Sequence, residues 1–338
     1  MGMAASSTAC NASKLPASDG VIVMLVPPRG SVRIDGGSDW CCALRGLRSL
    51  RYVRDGGSAT VRVIHDVADA LSPAHLRELS AAAAPRALCT TAVNLAALPA
   101  AAAALRDGAT RRRPWATPMR RSPSRWGYHH MIRFFFYDLF ERPLFDAGHH
   151  FWMRLDSDAE FERPLDDPFE PLRRSRGRAL GYLHHRENED CGPVAEGLAA
   201  FAAQWAASEA LPPMAALNAS SPKCVRGFYN NAEVGRLESF RSPRAARFRA
   251  AVLRDGGIYH HRWGDALLRR ITVEADGLPI APLPDDFKRA YQHSRGFYGA
   301  GARGESHGWC GALGRCRLPH VGAGAPGRRV HSLSSGAE

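Results

Sequence analysis

The chain has 338 residues, 45% hydrophobic and 23% charged, which are globular proportions and exclude wholesale disorder. Lys+Arg of 45 against Asp+Glu of 33 leaves a net charge of +12, and only Lys14, Lys223 and Lys288 among those cations are lysines. Such an arginine surplus suits anionic partners through planar, bidentate contacts but says nothing about fold. No stretch approaches the ~18 apolar residues of a membrane-spanning helix, and no charged-then-apolar signal peptide opens the chain.

Residues 1–19 are small and polar without periodicity and are expected to form a disordered leader. The run Val21 to Val26 reads as a buried strand ended by Pro27 and Pro28. Leu44, Leu47 and Leu50 recur at helical spacing, and Thr60 to His65 reads as a second strand. Ser72-Pro73 places an N-cap before a first-turn proline and opens a helix that Pro85 closes. A third apolar run spans Leu88 to Leu95. Alternating strands and helices at this spacing predict a parallel sheet with crossover helices, the nucleotide-binding half of an α/β domain. The arginine-rich stretch Asp107 to Arg125 reads as a solvated basic connector, with a phosphate-contacting lid as the alternative.

The second half is richer in aromatics. Met131 to Phe140 predicts a buried helix, His149 to Leu155 a central strand, and Gly181 to His185 another strand. Val194, Leu198, Phe201 and Trp205 mark one apolar stripe of a helix over Pro193 to Leu211. Ser242-Pro243 starts a further helix that Gly256-Gly257 stops. Residues 299–338 turn to Gly, Ala and Arg and are expected to form a low-order tail. The eight cysteines (Cys10, Cys41, Cys42, Cys89, Cys191, Cys224, Cys310, Cys316) contain no CxxC pair, which disfavours a zinc knuckle and leaves the redox compartment open.

The sharpest local signal is Asp156-Ser157-Asp158 at the end of an apolar strand. Two carboxylates at the carboxyl edge of a sheet can hold a divalent ion against a diphosphate. Four histidine pairs occur (129–130, 149–150, 184–185, 260–261), but neighbours in a strand point to opposite faces and rarely share one ion. The chain has no HExxH or P-loop, no complete GxGxxG after the first strand, and no interleaving of basic and aromatic residues that would predict nucleic-acid binding. Asn11-Ala12-Ser13 and Asn218-Ala219-Ser220 are glycosylation sequons.

Several blocks then fall in a recognisable order. Tyr128-His129-His130-Met131-Ile132-Arg133-Phe134 and the following Arg142-Pro143-Leu144 are succeeded by Phe151 to Asp158, matched with one residue of slack. Phe228-Tyr229-Asn230-Asn231-Ala232-Glu233-Val234-Gly235, Phe240-Arg241-Ser242, Gly256 to Ala266 and Tyr291-Gln292-His293 follow. Together they resemble the fungal α-1,2-mannosyltransferases of the Kre2/Mnt1 type, glycosyltransferase family 15. The resemblance covers Tyr128 to His293; before it the likeness is architectural only, and the family's cysteine-rich ending is not recognisable in Cys310 and Cys316.

The resemblance implies an α/β fold of the GT-A type, with a Rossmann-like nucleotide-binding half and a mixed central sheet, over residues 20–298. It implies a retaining transferase that moves mannose from GDP-mannose to a mannose hydroxyl on a glycan or glycoprotein with Mn²⁺. In that reading Glu233 matches the family's proposed nucleophile, or stabilises charge while the acceptor attacks from the leaving-group face, and Asp265 binds sugar hydroxyls. Tyr128, Arg133, Asp156 and Asp158 line the donor site, and Asp156, Asp158 and His293 hold the metal. A Golgi lumenal home and a membrane anchor are implied by the family, although this chain shows no anchor. The rival readings are a transferase for another nucleotide sugar, an inactive homologue that binds nucleotide or glycan, and a basic nucleic-acid binder.

Overall fold

The computed structural model describes residues 8–10, 18–27, 39–97, 127–175 and 180–293. The first half runs β1 (Thr8–Cys10), β2 (Gly20–Leu25), α1 (Asp39–Ser49), β3 (Val53–Arg54), β4 (Thr60–Asp66), α2 (Pro73–Ala83) and β5 (Leu88–Val93). A long helix follows, made of α3 (Gly127–Arg133), a π-helical stretch Phe134–Asp138 and α4 (Leu139–Glu141). Next come β6 (Phe151–Leu155), β7 (Ala159–Phe161), β8 (Leu165–Asp166), α5 (Glu170–Arg174), β9 (Tyr182–His184) and β10 (Glu187–Cys191). Then α6 (Leu198–Ser208), β11 (Cys224–Phe228), β12 (Ala232–Arg236), α7 (Leu237–Phe240) and α8 (Pro243–Asp255). The described chain closes with α9 (Gly257–His260), α10 (Asp265–Ala275), β13 (Ile280–Pro282), α11 (Asp285–Ala290) and β14 (Tyr291–His293).

The main sheet has eight strands in the order β1-β5-β4-β2-β6-β12-β9-β13. Its β5-β4-β2-β6 half is parallel, while β12 is antiparallel to both of its neighbours, so the sheet is mixed. The first-half prediction of a parallel crossover unit therefore holds for β2, β4 and β5. These strands are buried almost throughout, on both faces, although β4 carries Arg62 and β5 Thr90 and Thr91. Ile22 and Met24 pack in one core cluster with Trp40 and Leu47 of α1, whereas Val21 and Val23 pack in another with Phe134 and Trp152. A third cluster joins α6, α8 and α10 through Trp205, Phe248 and Trp263.

Local signals set several boundaries. The Ser72 hydroxyl accepts from the His75 amide at 3.3 Å and caps α2, and Ser242 does the same for Ala245 in α8 at 3.1 Å. Gly256 ends α8 in the left-handed region, φ 82°, but the chain then turns through α9 instead of leaving helical structure. The helix expected from Pro193 begins at Leu198, because Gly197 is left-handed at φ 77° and residues 192–194 form a 3-10 turn. Within the expected leader, Thr8–Cys10 pair antiparallel with β5. The rest of that leader up to residue 17, the arginine-rich stretch 107–125 and the tail 299–338 lie outside the described residues.

Candidate active site

The candidate site forms where β6, β12, β14 and the start of α10 meet. Glu233 of β12 stands directly opposite Arg154 of β6 in the antiparallel register. On α10, Asp265 and Arg269 are four residues apart and so share one helix face. That face meets the sheet: Arg154 Nη1 donates to Asp265 Oδ2, and Arg269 donates to Glu233 through Nε (3.0 Å to Oε2) and Nη2 (3.3 Å to Oε1). The Tyr182 hydroxyl adds a 2.6 Å hydrogen bond to Glu233 Oε2, and Arg154 Nη1 lies 3.9 Å from Oε1. Glu233 is completely buried, and both arginine side chains are buried with it.

Burial alone would expel these charges, so the network needs internal compensation. Desolvation disfavours the Arg154 cation, but Asp156, Asp265 and Glu233 together hold its pKa above the ordinary value. Its guanidinium also lies 3.7 Å from the centre of the Phe135 ring. Arg269 is enclosed by Phe140, Trp152 and Phe240 at 4.9–5.1 Å and donates to the Phe135 carbonyl at 2.9 Å. Burial and the Glu233 charge keep the Tyr182 hydroxyl protonated well above its usual range.

Arg154 also donates through Nε to Asp156 Oδ1 at 2.7 Å, which joins the buried quartet to the acidic turn after β6. There the structure brings Asp156, Asp158 and His293 together, with one ligand atom of each within 4.8 Å of the others. His293 arrives through β14, which pairs with β7 so that His293 faces Ala159, next to Asp158. Its Nε2 lies 3.0 Å from Asp158 Oδ1 and 2.7 Å from the side-chain amide nitrogen of Asn231. Burial pushes the Asp156 carboxyl up to about 6, with Asp158 adding to the shift and Arg154 opposing it. Two carboxylates and an imidazole crowded in this way suit a hard or borderline divalent cation, whose charge would relieve their repulsion. Among the described residues the other candidate group is Glu189, Cys191 and Cys224, but the two sulfurs there form a disulfide. None of the four histidine pairs contributes to either group.

The loop before α10 shapes the rest of the site. A Cβ on Gly257 would fall 2.2 Å from Trp263 Cε3, so only glycine lets the indole pack there. Trp263 Nε1 donates to the Glu196 carbonyl at 2.8 Å, fixing the approach to Asp265. Arg262 takes a left-handed conformation, φ 57°, rarely accepted by a residue with a side chain. Its guanidinium stands 4.8 Å over the Tyr128 ring, and Asp265 adds a weaker electrostatic influence on the same phenol. Tyr128 thus borders Asp265. Asp190 of β10 reaches the same place, its Oδ2 4.0 Å from where a side chain on Gly264 would begin.

Arg133 behaves differently from the expectation of a diphosphate contact. It has no exposure and donates to Asp138 Oδ2 (3.0 Å), the Tyr259 hydroxyl (3.1 Å) and the Leu95 carbonyl (2.9 Å). The guanidinium secures the π-helical turn to the end of β5 and to α9, so its work here is structural. Sequence reading passed over Arg154, Arg269 and Tyr182. Arg154 did leave a signal, since a lone charge inside the apolar run from Phe151 to Leu155 demands a buried partner. A small cavity of about 80 Å³ lies at the carboxyl ends of β2 and β4, lined by Pro27, Trp40, His65, Asp69 and Leu71 among others. In open α/β sheets ligands bind at such edges.

No family model matches the chain, and no curated protein matches it. Solved structures do. The mannosyltransferase Ktr4p of S. cerevisiae is 17% identical with a TM-score of 0.63, over 86% of this chain and 75% of that one. Its complex with GDP gives 16% and 0.59 over the same shares. Core-mannan synthase A (CmsA/Ktr4) of Aspergillus fumigatus, in its Mn/GDP form, is 17% identical with a TM-score of 0.57, over 84% of this chain and 76% of that one. The chain has their fold. It is a GT-A-like glycosyltransferase fold of the α/β class, as the sequence resemblance implied.

Proposed function

We propose that the chain is a retaining mannosyltransferase that moves mannose from GDP-mannose to a mannose hydroxyl, in α-1,2 linkage, on a glycan or glycoprotein. The observation that carries this reading is the convergence of Asp156, Asp158 and His293 beside the buried Arg154–Asp265 and Arg269–Glu233 pairs. The fold shared with Mn/GDP and GDP forms of fungal mannosyltransferases supports the donor class. Asp156, Asp158 and His293 would hold Mn²⁺, which when bound offsets charge on the diphosphate leaving group.

The chain's own groups then divide the work. Asp265, buried at the start of α10 and oriented by Arg154, accepts hydrogen bonds from sugar hydroxyls, with Tyr128 at the border of the same space. Glu233 has no exposed surface, and both of its oxygens are held by Arg269, with Tyr182 on one of them. This favours a charge-stabilising role over attack by its carboxylate. On that route the acceptor oxygen bonds to the anomeric carbon on the face from which the phosphate oxygen departs. The hydroxyl proton passes to the leaving phosphate, and configuration is retained. The cavity at the ends of β2 and β4 is the proposed nucleotide end of the site.

A secretory-pathway location, in the Golgi lumen by the family resemblance, is supported by the bond between Cys191 and Cys224 and by disulfide-bonded Cys41, Cys42 and Cys89. Among the described residues no helix is long and apolar enough to cross a membrane. The test is GDP release from GDP-mannose with Mn²⁺ and α-methyl mannoside, comparing wild type with Asp158→Ala and Asp265→Asn. Turnover lost in both variants supports the reading; wild-type protein that neither turns over nor binds GDP with Mn²⁺ refutes it. GDP binding without turnover, whatever donor sugar is offered, favours the inactive homologue.

A further inference from the structure

We propose that Asn218 is a modification site that carries an N-linked oligosaccharide. The inference rests on the secretory-pathway reading above and extends it to one residue. Of the six asparagines, only Asn11 and Asn218 begin an Asn-x-Ser/Thr sequence, and Asn218 is the one within the described residues. The asparagines that serve the site are excluded by sequence: Asn230, 4% exposed, and Asn231, which holds His293, are followed two residues on by Ala232 and Glu233.

Asn218 lies in a prepared surface turn. Its amide donates to the Ala215 carbonyl at 3.1 Å, closing the 3-10 turn Ala215–Leu217, and its side chain is exposed. The turn is tied down on both sides. The Ala216 amide donates to Glu274 Oε2 of α10 at 2.8 Å, and Cys224, a few residues beyond Ser220, is bonded to Cys191. A bulky polar group on Asn218 therefore displaces no core side chain.

The chemistry balances with one co-reactant, a lipid diphosphate-linked oligosaccharide. The Asn218 amide nitrogen bonds to the anomeric carbon, the carbon–oxygen bond to the diphosphate breaks with its electron pair leaving on the lipid diphosphate, and the amide proton passes to a basic group of the transferring enzyme. The residue two positions on must present its hydroxyl to the transferring enzyme. In the folded chain, however, both the Ser220 hydroxyl and its amide are held by Glu189 of β10. Glu189 sits two residues from Cys191, within the strand that the Cys191–Cys224 bond fastens to β11. The modification therefore belongs to the stage before β10 and β11 close, and it competes with disulfide formation.

The test uses the full chain routed through the secretory pathway of a eukaryotic host, with peptide:N-glycanase treatment and peptide mass spectrometry. The expected result is conversion of Asn218 to aspartate on treatment, lost in Asn218→Gln and in Ser220→Ala and retained in Asn11→Gln. A Cys191→Ser/Cys224→Ser variant is expected to show higher occupancy at Asn218, since nothing fastens the hairpin. Unmodified Asn218 in protein whose Cys191–Cys224 bond is formed overturns the site, and unchanged or lower occupancy without the cysteines overturns the order of events. GDP release measured on the same preparations separates the two readings: glycosylated but inactive protein fails only the transferase, and active unmodified protein fails only this site.

Discussion

Replacing Arg269 with methionine is the most informative single change. It keeps most of the side-chain volume against Phe140, Trp152 and Phe240 but removes both hydrogen bonds to Glu233 and the one to the Phe135 carbonyl. Glu233 is left fully buried with Tyr182 and a 3.9 Å approach to Arg154 as its remaining support. Breaking a buried ion pair from one side costs about 3–5 kcal/mol, because the partner's desolvation is no longer offset. Against a total stability of about 5–15 kcal/mol this is a large fraction, readable as a fall in the urea midpoint at pH 7. The double variant Glu233→Leu/Arg269→Met removes the orphaned charge, and Arg154 keeps Asp156 and Asp265 as counter-ions. It is therefore expected to be more stable than Arg269→Met alone, by about 1–3 kcal/mol. An Arg269→Met cost below about 1 kcal/mol would refute the argument, since it would mean that Glu233 has access to water.

Asp158→Asn and His293→Ala should each weaken Mn²⁺ binding by at least about tenfold, measured by titration calorimetry, while leaving the urea midpoint near wild type. Gly257→Ala should lower stability by about 1–3 kcal/mol or more, because its Cβ meets the Trp263 ring at 2.2 Å, and it should reduce turnover by displacing the loop that leads to Asp265. Burial holds His130 and His185 down at about 4, with nearby cations adding to each shift. The unfolded chain binds these protons near pH 6.5 and the folded chain only near pH 4, so their contribution is fully present above pH 6.5. It is lost as pH falls from about 6.5 to 4, and a His130→Gln/His185→Gln variant should show a flatter loss of urea midpoint across that window.

The parts of the fold that were legible have local causes. β2 is a continuous apolar run, β4 and β5 are short runs rich in β-branched residues, and α2 and α8 announce themselves by Ser-Pro at the start. The parts that were not legible depend on distant partners. β10 has the sequence Glu-Asn-Glu-Asp-Cys, which carries no strand signal, and it is a strand because β11 pairs with it and Cys224 bonds to its last residue. β14 has only three residues and exists through its pairing with β7. Composition rules assign Arg154 and Arg269 to the surface, yet they are buried because Glu233, Asp265 and Asp156 meet them there. Asp156 and Asp158 are candidates from position alone, as carboxylates at a strand's carboxyl edge, and the structure brings them together with His293. Glu233, Asp265 and His293 become candidates only through ordered family blocks, since each taken singly resembles an ordinary cap, ion-pair partner or loop residue.

The pairing of β14 with β7 has a consequence for how the protein is made. His293 sits on the last described strand, whereas Asp156 and Asp158 follow β6 near the middle of the chain. During synthesis the sheet, the buried arginines and both acidic ligands emerge before the imidazole does. The proposed three-residue metal site is therefore incomplete in a nascent chain until β14 has emerged and paired with β7. A chain cut short just before Tyr291 would lose the imidazole together with a buried tyrosine of the core, so weakened metal binding is expected to come with lower stability.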